Sequence, residues 1–176
     1  MLAGYVGNYS RYEIEKKFLL KNLPEILPES YIDIHDHYLK NSNLRLRIES
    51  SNTGEIIGRK LTRKERATDL GAETSIITSL NLTENDLLAL GMLNGSSLKK
   101  RRYIEEFSER RVIYDQFQGE LSGLVLAEIE FKSYEALSKF ELNSSDWVEV
   151  TGNPEYSGGY LAFKSSANVT AYQTTG

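Results

Sequence analysis

Most of the chain alternates hydrophobic and polar positions with a period of two, which is the pattern of antiparallel β-strands that bury one face. Segments rich in turn-forming residues separate these stretches, and Asn52-Thr53-Gly54 predicts the turn of a hairpin. The alternation predicts nine strands, at residues 11–20, 31–39, 43–50, 55–64, 72–79, 98–106, 109–117, 124–132 and 146–151.

Helical patterns are few and short. Thr83-Glu84-Asn85-Asp86 has the form of a capping box, and Ser133 is a suitable N-cap. In the last predicted helix, Gly158 and Gly159 oppose helix formation. The predicted helices cover residues 84–90, residues 134 to about 140, and residues 157–164. Together with the strands they predict a strand-rich α+β domain.

The composition narrows the class of protein. The chain has 176 residues, of which 40% are hydrophobic and 26% charged, so we expect one compact domain. The absence of cysteine excludes disulfides and thiolate metal sites. The lack of cysteine also fits a cytoplasmic protein. No apolar run predicts a membrane span or a signal peptide. The net charge of −4 gives no reason to expect nucleic acid or an anionic membrane as partner.

The first predicted strand contains Glu-x-Glu-x-Lys. Successive side chains of a strand point to opposite faces, so Glu13, Glu15 and Lys17 share one face while Ile14 and Phe18 share the other. Two carboxylates about 7 Å apart along a strand could hold a hard cation such as Mg²⁺. The lysine could hold a phosphate bound to the same cation. Taken alone, this pattern is also typical of any half-solvated strand.

Most other strands carry charges of one sign at the same spacing; the exception is the strand of Arg111 and Asp115, which have opposite signs and lie four residues apart. The pairs or triplets that share a face are Arg45 and Arg47; Lys60, Thr62 and Lys64; Lys100 and Arg102; Arg111 and Asp115; Glu128 and Glu130; Glu149 and Thr151. A sheet with a charged outer face would explain any single strand, but a solvated face usually mixes signs. Charges inside a closed sheet cost several kcal/mol each unless they are paired. A metal-bound phosphate chain is the simplest ligand that needs both signs.

These motifs follow one another along the chain: Glu13-Ile14-Glu15-Lys16-Lys17, Asp36-His37-Tyr38-Leu39, Leu44-Arg45-Leu46-Arg47, Leu61-Thr62-Arg63-Lys64, Lys100-Arg101-Arg102-Tyr103, Asp115-x-Phe117, Gly123 to Phe131 and Glu149-Val150-Thr151. In this order they resemble CYTH domain proteins, also called triphosphate tunnel metalloenzymes. The resemblance implies a closed, eight-stranded antiparallel tunnel with a few short flanking helices. It also implies triphosphate as the small-molecule partner and Mg²⁺ or Mn²⁺ as cofactor.

The resemblance covers roughly residues 11–165. We therefore expect an N-terminal extension over residues 1–10, a single tunnel domain over 11–165 and a mobile tail over 166–176, which is rich in Ser, Thr, Asn and Gln.

The resemblance also implies roles for individual residues. The first metal site would be Glu13, Glu15 and Glu130, and a second would be Asp115, Glu128 and Glu73. The phosphate-binding residues would be Lys17, Arg45, Arg47, Lys64, Lys100 and Arg102. Lys17, Asp115 and Glu128 would serve catalysis directly. Weaker candidates are Lys60 and Arg111, which suit structural ion pairs equally well, and Glu149, either as a metal contact or as a partner of a tunnel Lys or Arg.

Two positions depart from the family pattern. Glu73-Thr74-Ser75 keeps one acid where the family often has a second Glu-x-Glu, which leaves the second metal site open. Gly158-Gly159 stands where a Tyr-Ser-Asn-like step is expected.

Four further features favour structural roles. We expect His35 and His37 to be surface or turn residues, because no third His or Cys completes a metal site. Asp36 should point inward, and Trp147 should anchor the core. Alternation divides the basic run Lys99-Lys100-Arg101-Arg102 between two faces, so it does not predict a nucleic-acid site.

The sequence favours a metal-dependent triphosphate hydrolase in which water attacks the terminal phosphorus. A class IV adenylyl cyclase and a non-catalytic polyphosphate-binding module are the alternatives. The sequence leaves open the substrate, the metal, and whether the chain is a monomer or a homodimer.

Overall fold

The computed structural model describes residues 9–142 and 144–164. Within these residues all nine predicted strands are confirmed, with ends that shift by up to three residues. The strands are β1 (Ser10–Leu20), β2 (Ile32–Leu39), β3 (Leu44–Ser51), β4 (Ile56–Arg66), β5 (Thr74–Asn81), β6 (Gly95–Glu106), β7 (Arg110–Gln118), β8 (Val125–Phe131) and β9 (Trp147–Glu149). Most of the predicted N-terminal extension and all of the predicted tail lie outside the described residues.

Eight strands form a closed antiparallel barrel, as predicted. The order around the barrel is β1-β5-β4-β3-β2-β6-β7-β8, and β8 pairs with β1 again. Strand β1 closes the ring because its first half pairs with β5 while Ile14–Leu20 pairs with β8. Strand β9 is an addition that pairs with Phe18–Leu20 beyond the end of β5. The predicted hairpin between β3 and β4 is also confirmed, and Gly54 supplies its positive φ of 84°.

Three short helices lie outside the barrel, where they were predicted. They are α1 (Glu84–Gly91), α2 (Tyr134–Ser138) and α3 (Gly158–Phe163). Thr83 and Asp86 form the predicted capping box of α1, and Ser133 caps α2. Helix α2 ends two residues before the predicted Phe140. Helix α3 forms despite its glycines because they occupy its first turn, where the Ser157 hydroxyl accepts a hydrogen bond from the Tyr160 amide. Single 3₁₀ turns that were not predicted occur at Thr68–Leu70, Gly119–Leu121 and Pro154–Tyr156.

Much of the hydrophobic core lies between the barrel wall and its surroundings. One cluster packs the outer faces of β1, β7 and β8 against α2 and Trp147. The Trp147 ring lies 5.6 Å from that of Phe18 and 6.0 Å from that of Tyr114, which confirms it as a core anchor. A second cluster packs Leu98 and Leu126 against Leu161 of α3. The first cluster therefore lies outside the barrel wall, whereas Leu126 of the second cluster lines the tunnel interior beside the charged side chains.

No helix in the described part of the chain is long and apolar enough to cross a membrane.

Candidate active site

The barrel encloses a cavity of about 640 Å³ with an unusually charged lining. Ten basic and six acidic side chains line it, so positive charge is in excess by four, although the whole chain carries −4. The basic residues are Arg11, Lys17, Arg45, Arg47, Lys60, Lys64, Arg66, Lys100, Arg102 and Arg111. Such a surplus of cations in an enclosed space favours a polyanionic ligand.

Three carboxylates meet on one wall of the cavity. Strand pairing places Glu15 of β1 opposite Glu130 of β8, and Glu13 lies two residues before Glu15 on the same face. One oxygen of each carboxylate lies within 4.8 Å of the others, and no second group of this kind occurs among residues 9–142 and 144–164. Carboxylate oxygens are the ligands that Mg²⁺ and Mn²⁺ prefer. The structure thus brings together the three residues predicted for the first metal.

Burial raises the pKa of Glu130 to about 7, and the negative charge of Glu13 adds to this effect while Arg111 opposes it. The carboxylates therefore crowd one another, which is the electrostatic condition under which a cation binds well.

Lys64 of β4 reaches across to these carboxylates. Its Nζ lies 3.1 Å from Glu13 Oε2 and 2.7 Å from Glu15 Oε1. Burial alone would lower the pKa of Lys64, but Glu15 and Glu13 raise it well above its usual range. Lys64 thus stays charged beside the carboxylates, where it can contact a phosphate that a metal ion also binds.

A buried aspartate holds two arginines of β3 in the cavity. Asp36 of β2 is fully buried and accepts hydrogen bonds from Arg47 Nε at 2.7 Å and Arg47 Nη2 at 2.8 Å. Arg45 Nε lies 3.6 Å from the same carboxylate and has no hydrogen-bond partner within the described residues. Burial would raise the pKa of Asp36, but Arg45 and Arg47 lower it well below its usual range. The prediction that Asp36 points inward is confirmed.

A second network of ion pairs holds the remaining cations. Asp115 of β7 accepts hydrogen bonds from Lys100 and, at 2.7 Å, from both Nε and Nη2 of Arg102. Arg102 also contacts Glu128 at 3.3 Å, and Glu128 pairs with Lys17 at 2.9 Å. Burial lowers the pKa of Lys100 to about 8 even though Asp115 opposes this shift. The network fixes three cations that face the cavity.

The comparison with solved structures identifies the architecture. A structure of the inorganic triphosphatase NE1496 aligns with a TM-score of 0.56 and 23% sequence identity, covering 86% of this chain and 95% of that chain. A structure titled hypothetical protein NE1496 aligns with a TM-score of 0.57 and 24% identity, covering 87% and 99%. A protein from Bacillus halodurans, proposed to be an adenylate cyclase, aligns with a TM-score of 0.51 and 17% identity, covering 74% and 86%. The chain shares the closed β-barrel fold of these structures.

At these identities the likeness shows the fold alone, and it confirms the resemblance predicted from the motifs at that level. No protein-family model matches the sequence, and no curated protein matches it significantly.

The structure does not bring the predicted second metal set together. Asp115 and Glu128 are each engaged by basic side chains, as described above. The Glu73 side chain is not part of the tunnel lining, and its carboxylate lies beside Gly71 in the connection between β4 and β5. Ser75, the position where the family often has an acid, does line the tunnel.

The three weaker candidates fall on different sides of the tunnel wall. Lys60 and Arg111 line the tunnel, where Lys60 pairs with Glu49 at 2.7 Å and Arg111 with Glu130 at 2.7 Å. Glu149 lies outside the lining and pairs with Lys16 at 3.1 Å, so the expectation that it contacts a metal or a tunnel cation is not met.

The residues predicted to be structural lie where they were expected. His35 is exposed, and His37 contacts the Ser97 hydroxyl and the Leu93 carbonyl oxygen. The basic run is divided between two faces: Lys100 and Arg102 line the tunnel, while Arg101 lies outside and pairs with Asp33.

Sequence reasoning missed an apolar part of the lining. Five isoleucines face the tunnel, namely Ile32, Ile34, Ile77, Ile104 and Ile113. The alternation that predicted the charged faces also contains this signal, because Ile113 lies between Arg111 and Asp115, and Ile104 lies two residues after Arg102. These side chains limit the space for water beside the charged groups, which strengthens the electrostatic interactions there.

Proposed function

We propose that the protein is a divalent-metal-dependent hydrolase of a triphosphate, which it binds within the tunnel. The observation that carries this proposal is the carboxylate cluster Glu13, Glu15 and Glu130 beside a surplus of fixed cations in a closed barrel. The fold shared with a structure described as an inorganic triphosphatase supports it.

Glu13, Glu15 and Glu130 would hold Mg²⁺ or Mn²⁺, since all three offer hard oxygen ligands within reach of one another. When bound, such an ion supplies positive charge that neutralises phosphate oxygens and makes the phosphorus more electrophilic.

The cations of the tunnel would bind the phosphate oxygens and stabilise the charge of the departing diphosphate. These residues are Lys17, Arg45, Arg47, Lys64, Lys100 and Arg102. In the reaction, a water oxygen bonds to the terminal phosphorus while the bridging P–O bond breaks. The electron pair of the broken bond leaves with the diphosphate, and the proton that the water loses passes to the diphosphate or to solvent. Lys17, which pairs with Glu128, would add positive charge to that of Lys64, and Asp115 keeps Arg102 and Lys100 aimed inward.

The first test is product analysis with tripolyphosphate, ATP and thiamine triphosphate in parallel, each with Mg²⁺ or Mn²⁺. We expect orthophosphate release that EDTA abolishes and that falls at least roughly a hundredfold in Glu15→Gln. Mn²⁺ binding, measured by electron paramagnetic resonance, should weaken in the same variant because one of three carboxylate ligands is lost. The matched control is Glu65→Gln, which removes an exposed carboxylate paired with Arg63 outside the tunnel.

Release of phosphate that persists in EDTA, or normal rates in a folded Glu15→Gln protein, would contradict the proposal. Formation of cyclic AMP and pyrophosphate from ATP would instead assign the adenylyl cyclase reaction to the tunnel.

A second candidate function is triphosphate binding without turnover. The observation that favours it is the incomplete second metal set, in which Ser75 faces the tunnel and Glu73 does not. Tight binding of tripolyphosphate with no product under either metal would select this function.

A further inference from the structure

Strand β1 changes partner along its length, and Lys17 lies at the change. The first half of β1 pairs with β5, and the Glu15 amide then donates a hydrogen bond to the Glu73 carbonyl oxygen at 2.8 Å. Strand β9 pairs with Phe18–Leu20 on the same edge. Neither β5 nor β9 reaches the backbone of Lys17 itself. Because buried backbone groups need hydrogen-bond partners, another part of the chain must bond to Lys17 at this seam.

The turn that follows β9 provides these partners, and we call residues 150–153 the closing turn. The Val150 amide donates to the Lys17 carbonyl oxygen at 2.8 Å, which continues the ladder of β9. The Val150 carbonyl oxygen, which the ladder would next offer to Lys17, accepts a hydrogen bond from the Asn153 amide at 3.0 Å. The Lys17 amide donates instead to Thr151 Oγ1 at 3.0 Å. The Thr151 hydroxyl therefore takes the place of a strand carbonyl.

The closing turn is also tied to the opposite side of the seam. Gly152 has a φ of 79°, as the third residue of a type II turn requires. Its carbonyl oxygen accepts a hydrogen bond from Arg66 Nη2 at 2.7 Å, and Arg66 is the last residue of β4. The turn thus joins β1 to β4 beyond the start of β5, which keeps the Thr151 hydroxyl beside Lys17.

The same part of the chain contacts the ammonium group of Lys17. Lys17 Nζ lies 2.9 Å from Glu128 Oε1 and 3.5 Å from the carbonyl oxygen of Tyr156, which ends the 3₁₀ turn after the closing turn. Both the backbone and the charged end of Lys17 are therefore held by fixed groups. A flexible side chain held in this way loses less conformational entropy when a ligand binds to it.

We propose that Thr151 is a positioning residue that acts on the triphosphate through Lys17. Its hydroxyl fixes the Lys17 backbone at the seam, so that the ammonium group faces the phosphate chain before the ligand enters. Within the Glu149-Val150-Thr151 motif, whose acid lies outside the tunnel lining, Thr151 then has a defined role. This inference deepens the proposed function and rests on it.

The test is a double-mutant cycle that measures the dissociation constant of tripolyphosphate by calorimetry in EDTA. Thr151→Val keeps the shape of the side chain and removes the hydroxyl. We expect this change to weaken binding roughly fivefold in the otherwise wild-type protein and less than about twofold in a Lys17→Met background, where no ammonium group remains to be positioned. Thr151→Ser keeps the hydroxyl and should restore most of the affinity. A purely structural role of Thr151 would produce equal losses in both backgrounds.

Thr62→Val is the matched control, because it removes a buried tunnel hydroxyl that contacts the Ser79 hydroxyl at 3.2 Å rather than Lys17. Its effect on affinity should be the same with and without Lys17→Met. If the Thr151→Val protein does not fold, Thr151→Ala removes the same hydroxyl and takes its place in the cycle.

Three results would overturn the inference: no loss of affinity in Thr151→Val, equal losses in the two backgrounds, or a Thr151→Ser protein that binds no better than Thr151→Val. If wild-type protein binds tripolyphosphate and one of these results is found, the role of Thr151 alone fails. If wild-type protein neither binds tripolyphosphate nor releases orthophosphate from it with Mg²⁺ or Mn²⁺, the proposed function fails as well.

Discussion

Single buried carboxylates determine where the tunnel cations stand. Asp36 has no exposed surface, and its negative charge compensates the positive charges of two arginines on the neighbouring strand. A guanidinium on a flexible side chain would otherwise sample several rotamers, and ordering it when a ligand binds costs free energy. The ion pairs with Asp36 order Arg45 and Arg47 when the protein folds. Both side chains therefore point into the tunnel before a polyanion enters.

We expect Asp36→Asn to destabilise the protein by roughly 3–5 kcal/mol, because it removes one partner of a buried ion pair. The folded-state pKa of Asp36 is lowered, so its stabilising effect is complete above the ordinary aspartate pKa and is lost as pH falls through the folded-state pKa. The difference in unfolding free energy between wild type and variant should therefore stay constant from about pH 8 to pH 5 and narrow below about pH 4. Urea unfolding measured across this range provides the check.

Asp33→Asn is the matched control for this prediction. Asp33 lies on the same strand but pairs with Arg101 on the outer surface, where an ion pair contributes less than about 1 kcal/mol. An Asp36→Asn variant no less stable than Asp33→Asn would show that the arginines are held by other contacts.

At the scale of elements, the alternation of side chains between the two faces of a strand predicted most of the site. This rule holds wherever a residue lies inside a regular strand. Glu15, Arg47 and Lys100 were placed correctly for this reason. The rule fails at strand ends. Glu73 precedes β5, which begins at Thr74, and Glu149 is the last residue of β9, so the pleat does not determine where either side chain points.

The contact between α3 and β2 was beyond sequence reasoning for a different reason. It depends on two elements that are more than a hundred residues apart, and glycine there is informative only once Tyr38 is known to lie against it. From the sequence alone, Gly158 and Gly159 indicated only that a helix is disfavoured at these positions.

Gly158→Ala tests this contact. The added Cβ would force the Tyr38 side chain to move, so we expect a loss of roughly 1–3 kcal/mol in unfolding free energy. Triphosphate binding should also weaken, because Arg45 loses its hydrogen bond to the Tyr38 hydroxyl and keeps only Asp36 as ion-pair partner within the described residues. Adding Tyr38→Phe to the same chain should recover part of the stability, since it removes the atom nearest the clash. Urea unfolding and calorimetry measure the two effects.

Gly91→Ala is the control, because a Cβ atom there meets nothing within 4 Å and alanine favours the helix by up to about 1 kcal/mol. Equal stabilities of the Gly158→Ala and Gly91→Ala proteins would mean that α3 and Tyr38 are not in close contact.

For the whole molecule, closure of the sheet is the property that turns surface charges into a binding site. Alternating strands alone are equally compatible with an open sheet whose charged face is in water. Closure was predicted because basic and acidic residues are segregated between strands, and the structure shows that β1 meets both β5 and β8. The result is a chain of net charge −4 that encloses a lining with four excess positive charges.

This separation of charge predicts that a polyanion stabilises the folded protein. Like charges held together in the tunnel repel one another, and a ligand that binds only the folded state adds stability as its concentration rises. Tripolyphosphate at about a hundred times its dissociation constant should add about 2.7 kcal/mol, which is roughly 5–10 °C in Tm for a domain of this size. The measurement is thermal unfolding in EDTA, so that no ligand is consumed.

The shift should shrink in about 1 M KCl, where screening lengths fall to about 3 Å, and orthophosphate at equal concentration should produce a smaller one. Arg45→Gln, which removes a tunnel cation, should reduce the shift, whereas Arg63→Gln, which removes an exposed cation on the outside of β4, should leave it unchanged. An equal shift with orthophosphate, or equal shifts in the two arginine variants, would mean that the stabilisation comes from general screening of the surface. In that case the excess charge of the lining would not be acting as a binding site for a phosphate chain.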